Sequence, residues 1–386
     1  MHRLLLAGGS VLDVRTGKVA PADVVVEGDR IADVGGTGLD GDDAVDCAGR
    51  LLIPGLIDCH THVALTRTPN DPLGLPRSAR ALSIVPVLRT LLRLGVTTVR
   101  DAWGADAGMR LAVERGWIEG PEILISLRQV CTTGGLGDHW RARSGPLDFF
   151  GDPSMPDPVF DGEDGARAVV RRMVRADADW IKVTATGSLV LGRGVHDVQL
   201  TDGELAALVD EADRQGGRGV MVHAHGARAA EAAARAGARS VEHGTYLDER
   251  AVAAMAEAGT WLVPTLSTTQ SAPDEAPDGA PEAHRASVRL ALDAGVTFAM
   301  GTDNPVRPHG EALREIAHLA EAGLGAAGAL RAATLDAARL LERADDRGEI
   351  AEGKRADLVL LDGKDLDVTA LDTRVHAVWH RGRRVA

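Results

Sequence analysis

The sequence predicts an α/β fold: a (β/α)8 TIM barrel carrying a small β-sandwich domain built from both chain ends. Two observations predict it. Through the centre, short β-branched runs alternate with alanine-rich helical stretches, and eight such runs fit into roughly 250 residues, the usual size of that barrel. At either end the pattern changes to β-prone runs broken by glycine and aspartate turns. Residues 1–52 and 350–386 are therefore assigned to one composite β-domain, and residues 53–349 to the barrel.

The N-terminal runs of the β-domain are LLLAGGSVLD, DVVVEGDRIADVG and AVDCAG. RADLVLLDG (355–363) and VHAVWHRGRRVA (375–386) complete it. The first barrel strand is expected in IPGLIDCHTH (53–62), where an apolar run opens into two histidines. GVTTVRDA (95–102), EILISLRQV (122–130), WIKVTATG (180–187) and GVMVHAHG (219–226) supply the next four. SVEHG (240–244), TWLVPTLS (260–267) and VTFAMGTDN (296–304) supply the last three. Helices fit between them, among them EDGARAVVRRMVRADA, TDGELAALVDEADRQ and DERAVAAMAEAG, and Thr201 with Glu204 has the spacing of a capping box. Residues 131–164 and 269–284 break the rhythm with glycine, proline and aspartate. Long irregular stretches are commonly functional, so the first is expected to form a lid or a pocket wall and the second to border the same mouth.

Composition excludes several classes. With 56 acidic against 43 basic residues the net charge is −13, and no basic cluster comes with stacking aromatics, which argues against a nucleic-acid partner. The odd set Cys47, Cys59 and Cys131, with no CxxC pair, argues against a disulfide framework or a zinc knuckle. MHRLLLAGGSVLD has no secretory apolar core, and no 18-residue apolar run follows, so no membrane association and a cytoplasmic location are expected.

The polar exceptions to the apolar runs carry the chemistry. His60 and His62 end the first run, Lys182 lies in the fourth, His223 and His225 in the fifth, His243 in the sixth and Asp303 in the eighth. In such a barrel the strands' C-terminal ends share one face, where active sites are built. The i, i+2 spacing puts His60 and His62 on one side of a strand, and imidazole with carboxylate is an ordinary zinc ligand set. An isolated HxH pair would mean little, but recurrence at several strand ends points to a metal site. Lys182 stands between isoleucine and valine. Burial there would lower its pKa, and a neutral amine near metals reacts with carbon dioxide to give a carbamate with two oxygens. The plain alternative is a lysine that reaches solvent or pairs with an acid. Cys59 should face away from the histidines and serve packing.

The split β-domain, IPGLIDCHTH, the TTGG at 132–135, IKVTATG, VHAHG, SVEHGTYLD and GTDN together resemble the amidohydrolase superfamily. The resemblance spans nearly the whole chain and is nearest the branch of prolidase-like carboxypeptidases, ochratoxin-type amidases and imidazolonepropionase-like proteins. It implies two divalent metal ions, usually zinc. His60, His62 and Asp303 would hold the more buried ion and His223 with His243 the exposed one. Carboxylated Lys182 (N6-carboxylysine) and a hydroxide would bridge them. His225 and Tyr246 would face the substrate and polarise its carbonyl, the hydroxide would attack, and Asp303 would pass the proton to the leaving nitrogen. His139 is a looser substrate-binding candidate, because GGLGDHW departs from the relatives' GG-H-G form. Asp58 is either a support for a metal ligand or a surface turn residue.

The implied function is hydrolysis of an amide or peptide-like C–N bond in a small molecule such as a dipeptide or an N-acyl amino acid. Its runner-up is a mononuclear deaminase or cyclic-amide hydrolase of the imidazolonepropionase type, which does without the bridging lysine. A non-catalytic assembly protein on the same fold is the alternative of another class. Trp140, Arg141 and Arg143 on the long loop either meet an anionic or flat substrate group or face solvent. A homo-oligomer is compatible with the sequence, whose symmetry it does not fix.

Overall fold

Parallel strands make the centre, as runs apolar on both faces require. In a computed structural model of the chain, residues 2–36, 38–65, 75–143, 145–146, 152, 154–189 and 194–386 are described. Strands β1 (Leu56–Thr61), β2 (Val96–Asp101) and β3 (Glu122–Ile125) pair in parallel. A second parallel sheet runs through β4 (Gln129–Thr132), β5 (Ile181–Thr184), β6 (Val220–Gly226), β7 (Ser240–Tyr246) and β8 (Trp261–Val263). Helices Gly162–Arg175, Asp202–Arg214 and Glu249–Ala258 stand where the alanine-rich stretches predict them. The Thr201–Glu204 capping box is present in both directions.

Three expectations are corrected in detail. The run at 122–130 is two strands, because Leu127 turns the chain at φ 65° between β3 and β4. The run at 296–304 is extended but not a regular strand. On one side Leu262 N–H donates to Thr297 O and Ala299 N–H to Leu262 O. On the other Cys59 N–H donates to Met300 O and His62 N–H to Asn304 O, so the segment joins β8 to β1. Its irregularity has a steric cause: Gly301 lies so close that a Cβ would stand 2.4 Å from Val263 and 2.7 Å from His60. Residues 280–284, expected to be irregular, begin the helix Ala280–Asp293, with a proline in its first turn.

In the loop at 131–164, Trp140–Arg141 pairs with Gly145–Pro146, and Val159–Phe160 adds to the edge of β4. Residues 144, 147–151 and 153 lie outside the described residues, and the expected lid falls partly on them. Among the described residues no helix is long and apolar enough to cross a membrane. Cys47, Cys59 and Cys131 are buried, and none of them is in a disulfide among the described residues.

The chain ends share a six-stranded sheet in which Leu358–Asp362 pairs antiparallel with Arg50–Pro54, a strand straddling the expected boundary at 52/53. A four-stranded sheet from residues 3–46 faces it, and Leu6, Val24, Ile31, Leu52, Leu358 and Trp379 form a common core. This unit is tied to β3 by Glu122, whose Oε2 accepts from Arg347 at 3.0 Å, Arg355 at 2.6 Å and Arg381 at 3.3 Å. Burial alone would raise the Glu122 pKa, but Arg347 and Arg355 hold it down at about 2 against an ordinary 4.5. A depressed carboxylate stabilises the fold fully above its unfolded pKa and ceases to do so as pH falls through the folded one. Glu122→Gln should therefore cost on the order of 3 kcal/mol near neutral pH. In acid denaturation of the two proteins, that gap should narrow between pH 4.5 and about 2. A gap constant across that window would discount the cluster.

Candidate metal centre

Strand alternation and strand ends together gather the polar side chains. His60 lies in β1 and His62 one residue past it, and their Nε2 atoms stand 3.3 Å and 3.0 Å from the same Asp303 Oδ1. The Lys182 ammonium nitrogen, from β5, is 3.4 Å from His60 Nε2. His243 closes a triad with His60 and Asp303 and another with His223 and His225, each with donor atoms within 4.8 Å of one another. All of these side chains except Asp303, itself half-buried, are buried. His243, Thr265 and Asp303 each take a positive φ of 73°, 52° and 57°, so the centre is built on strained backbone held by its surroundings.

The outer hydrogen bonds fix which ring nitrogen faces inward. His60 Nδ1 meets the Glu242 carboxylate at 2.6 Å and His62 Nδ1 the Trp103 carbonyl at 3.1 Å. Both partners only accept, so each Nδ1 carries the proton and each Nε2 presents a lone pair. His223 is reversed: its Nε2–H donates to Gly187 O at 3.0 Å, leaving Nδ1 bare. His243 Nδ1 and His225 Nδ1 pair with the hydroxyls of Thr265 and Thr245.

Two lone pairs and a carboxylate oxygen thus converge at His60, His62 and Asp303. Without a cation between them they repel. Atoms sharing one ion at bonds of about 2.1 Å stand roughly 3.4 Å apart in a tetrahedron, so the donor set fits a metal ion. Charge states agree. Burial pushes the His223 imidazole down to about 3 and those of His225 and His243 well below their ordinary value, so all three are neutral at pH 7. Burial would raise the Asp303 pKa, but the neighbouring imidazoles of His60 and His62 hold it well below the ordinary carboxylate value. Burial lowers Lys182 to about 8, which makes its free amine accessible near neutral pH.

Several predicted residues are placed less centrally. Tyr246, the chain's single tyrosine, ends β7 with its ring tilted on His196 at 4.9 Å. Burial raises its hydroxyl pKa, so it is a proton donor. His139 stacks on Trp103 at 5.4 Å, and Trp103 meets His62 edge-on at 6.1 Å, so one indole separates His139 from the ligands. Burial and the nearby Arg128 bring its pKa to about 4. Asp58 is no surface turn residue. It is fully buried and accepts from Thr302 Oγ1 at 2.7 Å and His60 N at 3.1 Å, bracing β1 against the segment that carries Asp303. Cys59 does face away, toward Ala337 O, and burial raises its thiol pKa. Trp140 and Arg143 are exposed. Arg141 belongs to a strand, and its side chain is outside the described residues.

The sequence reading missed the network beneath His60. Glu242 and Arg100 are fully buried and paired at 3.0 Å, with Arg100 also donating to Cys59 O at 2.6 Å and lying over the Trp180 ring at 4.5 Å. The signal was available: both are charged residues inside apolar β runs, the same exception that singled out Lys182. Thr245 and Thr265, which turn His225 and His243, carried no such signal.

Comparison with known proteins shows the family. The model of the amidohydrolase family matches residues 51–385, and the chain belongs to that family. It is an enzyme, a hydrolase acting on carbon–nitrogen bonds. It is similar to ochratoxinase of Aspergillus niger, at 29% identity over 86% of this chain and 75% of the other. Imidazolonepropionase of Micrococcus luteus is 30% identical over 94% of both chains. Among solved structures, a prolidase complexed with N-methylphosphonate-L-proline superposes with a TM-score of 0.89, 34% identity and 99% coverage of both chains. A Xaa-Pro dipeptidase with bound methionine gives the same score and coverage at 29% identity.

Proposed function

We propose that this protein is a binuclear metal-dependent hydrolase that cleaves an amide or peptide-like C–N bond of a small molecule. The observation that carries the reading is the buried Lys182 amine 3.4 Å from His60 Nε2, inside a set of bare imidazole nitrogens. The prolidase, dipeptidase and ochratoxinase likenesses support amide hydrolysis as the reaction. In this reading the parallel strands form a closed (β/α)8 barrel, and the enzyme is cytoplasmic.

His60, His62 and Asp303 would hold one ion, His223 and His243 the other, with Lys182, carboxylated, between them. Zinc suits the nitrogen-rich set. When bound, the ions supply the charge that makes a water nucleophilic at neutral pH and polarises a carbonyl. The chain's own groups do the rest. Tyr246 and His225 stand at the ends of neighbouring strands to position the scissile carbonyl oxygen. Asp303 takes the proton of the attacking water at a carboxylate oxygen and returns it to the leaving nitrogen. Glu242 keeps His60 Nε2 bare and aimed, and Trp103 walls the site on the His62 side. His139 is a substrate contact only for a group extending past that indole.

The test is a panel of dipeptides, N-acyl amino acids, lactams and imides assayed with zinc and bicarbonate, alongside metal analysis. About two metal ions per chain and turnover of open-chain amides are expected. One ion per chain with turnover of cyclic amides alone would instead establish the imidazolonepropionase-type reading. Failure to retain metal together with no turnover on any arm would leave the assembly-protein reading.

A further inference from the structure

We propose that Glu315 is a positioning residue for His243, clamping the turn after β8 whose Thr265 hydroxyl orients that imidazole. Glu315 lies in the helix Arg314–Leu319 and is 0% exposed, and among the described residues no basic side chain pairs with it. Its oxygens are spent on the turn instead. Oε1 accepts from Leu266 N–H at 2.8 Å, and Oε2 accepts from Ser267 N–H at 2.6 Å and Ser267 Oγ–H at 2.7 Å. A buried carboxylate without a cation is costly unless donors fill its lone pairs, and hydrogen bonds to it are roughly twice as strong as neutral ones. The turn and the carboxylate therefore hold each other in one geometry.

That geometry needs holding. Thr265, just before the two clamped amides, has a φ of 52°, which a β-branched residue adopts only where its surroundings impose it. Its hydroxyl stands 2.7 Å from His243 Nδ1, and His243 has a φ of 73°. Fixing the N–H groups of the next two residues fixes where Thr265 Oγ1 points. The turn also reaches the His243 main chain: Thr269 Oγ1 meets His284 Nδ1 at 2.9 Å, and His284 Nε2–H donates to His243 O at 3.0 Å. One carboxylate thus secures a buried turn that grips His243 by ring and by backbone.

The consequence is specific. A ring held at Nδ1 presents its other nitrogen at a fixed angle, as a metal ligand must. Glu242 does this for His60 by direct contact, and Glu315 does it for His243 through one intermediate. A carboxylate that served the fold alone would loosen the whole centre when removed, whereas one acting through Thr265 loosens His243 first. The proposal rests on the binuclear reading in making His243 a metal ligand, but the hold on its ring does not.

The experiment is zinc release to a competing chelator from the full-length protein, wild type against Glu315→Gln, Thr265→Val and the double variant. In Glu315→Gln the ion that His243→Gln also loosens should lose about tenfold or more in affinity, while the other stays within about twofold. Thr265→Val should give the same selective loss. The double variant should lose no further affinity although its Tm falls below that of either single variant, because two changes on one path do not add. Equal weakening of both ions, losses that multiply in the double variant, or an unaltered affinity would overturn the proposal and leave Glu315 a support of the fold only. If Glu315→Gln does not fold, Ser267→Ala takes its place, removes one hydrogen bond to the carboxylate and should cost the same ion about threefold. In the metal-free protein the ring ¹⁵N signals of His243, identified by their loss in His243→Gln, should shift in both single variants, and unshifted signals would overturn the hold on the ring. That readout needs no metal, so a wild type taking up one ion would sink the binuclear reading and leave this result standing.

Discussion

Lys182→Ala should lose about 10³-fold or more in kcat, roughly 4 kcal/mol of barrier, while remaining folded. The side chain is 1% exposed, sits 3.4 Å from His60 Nε2 and is held by burial at about 8. As a bare ammonium it would be a poor neighbour for a metal ion. As a carbamate it becomes an anion with two oxygens. The variant opens a space of that shape among His60, His223 and Asp303, so a short carboxylic acid should restore part of the activity where a neutral alcohol of the same size does not. Metal content should fall with the mutation and recover with the acid. Activity and metal content equal to wild type would remove Lys182 from the centre and with it the binuclear reading.

The prediction depends on a feature that was legible without coordinates. Lys182, His60, His62, His223, His243 and Asp303 were visible because each interrupts an apolar β run, and an ionisable group in such a place must have a partner. Apolar periodicity placed most of the parallel strands, and the Thr201–Glu204 spacing placed the capping box. What remained hidden was set by tertiary contact. The positive φ of Leu127 splits one run where the sequence offers no glycine or proline to announce it. The eighth segment loses strand geometry because Gly301 is pressed on Val263 and His60, neighbours distant in sequence. His225 stands within ligand reach of His223 and His243, so position alone does not separate a ligand from a substrate contact. Its Nδ1 bond to Thr245 decides the ring's direction, and a threonine 20 residues away on the next strand is not a sequence signal. Asp58 was ambiguous for the same reason, since only the partner Thr302 distinguishes a buried strut from a turn.

Glu242→Gln should damage the centre and the fold together, and the two effects are separable. Burial would raise the Glu242 pKa, but Arg100 and His60 hold it at about 2 against an ordinary 4.5, so its stabilising contribution is complete above pH 4.5 and fades only toward pH 2. Removing the charge leaves the fully buried Arg100 guanidinium uncompensated. Breaking one partner of such a pair costs about 3–5 kcal/mol, so the Tm should fall by several degrees. His60 also loses the carboxylate that fixes its tautomer, and partners of that kind are worth about 10- to 100-fold in metal affinity. In the double variant Arg100→Met with Glu242→Gln no buried charge is left alone. Its Tm should recover most of the loss, because neutral replacement of a buried ion pair is commonly tolerated. Its metal affinity should stay low, because nothing restores the grip on His60 Nδ1. A double variant that regains both would show that Glu242 acts only by neutralising Arg100. A single variant with unchanged Tm and metal affinity would remove the network from the account of the site altogether.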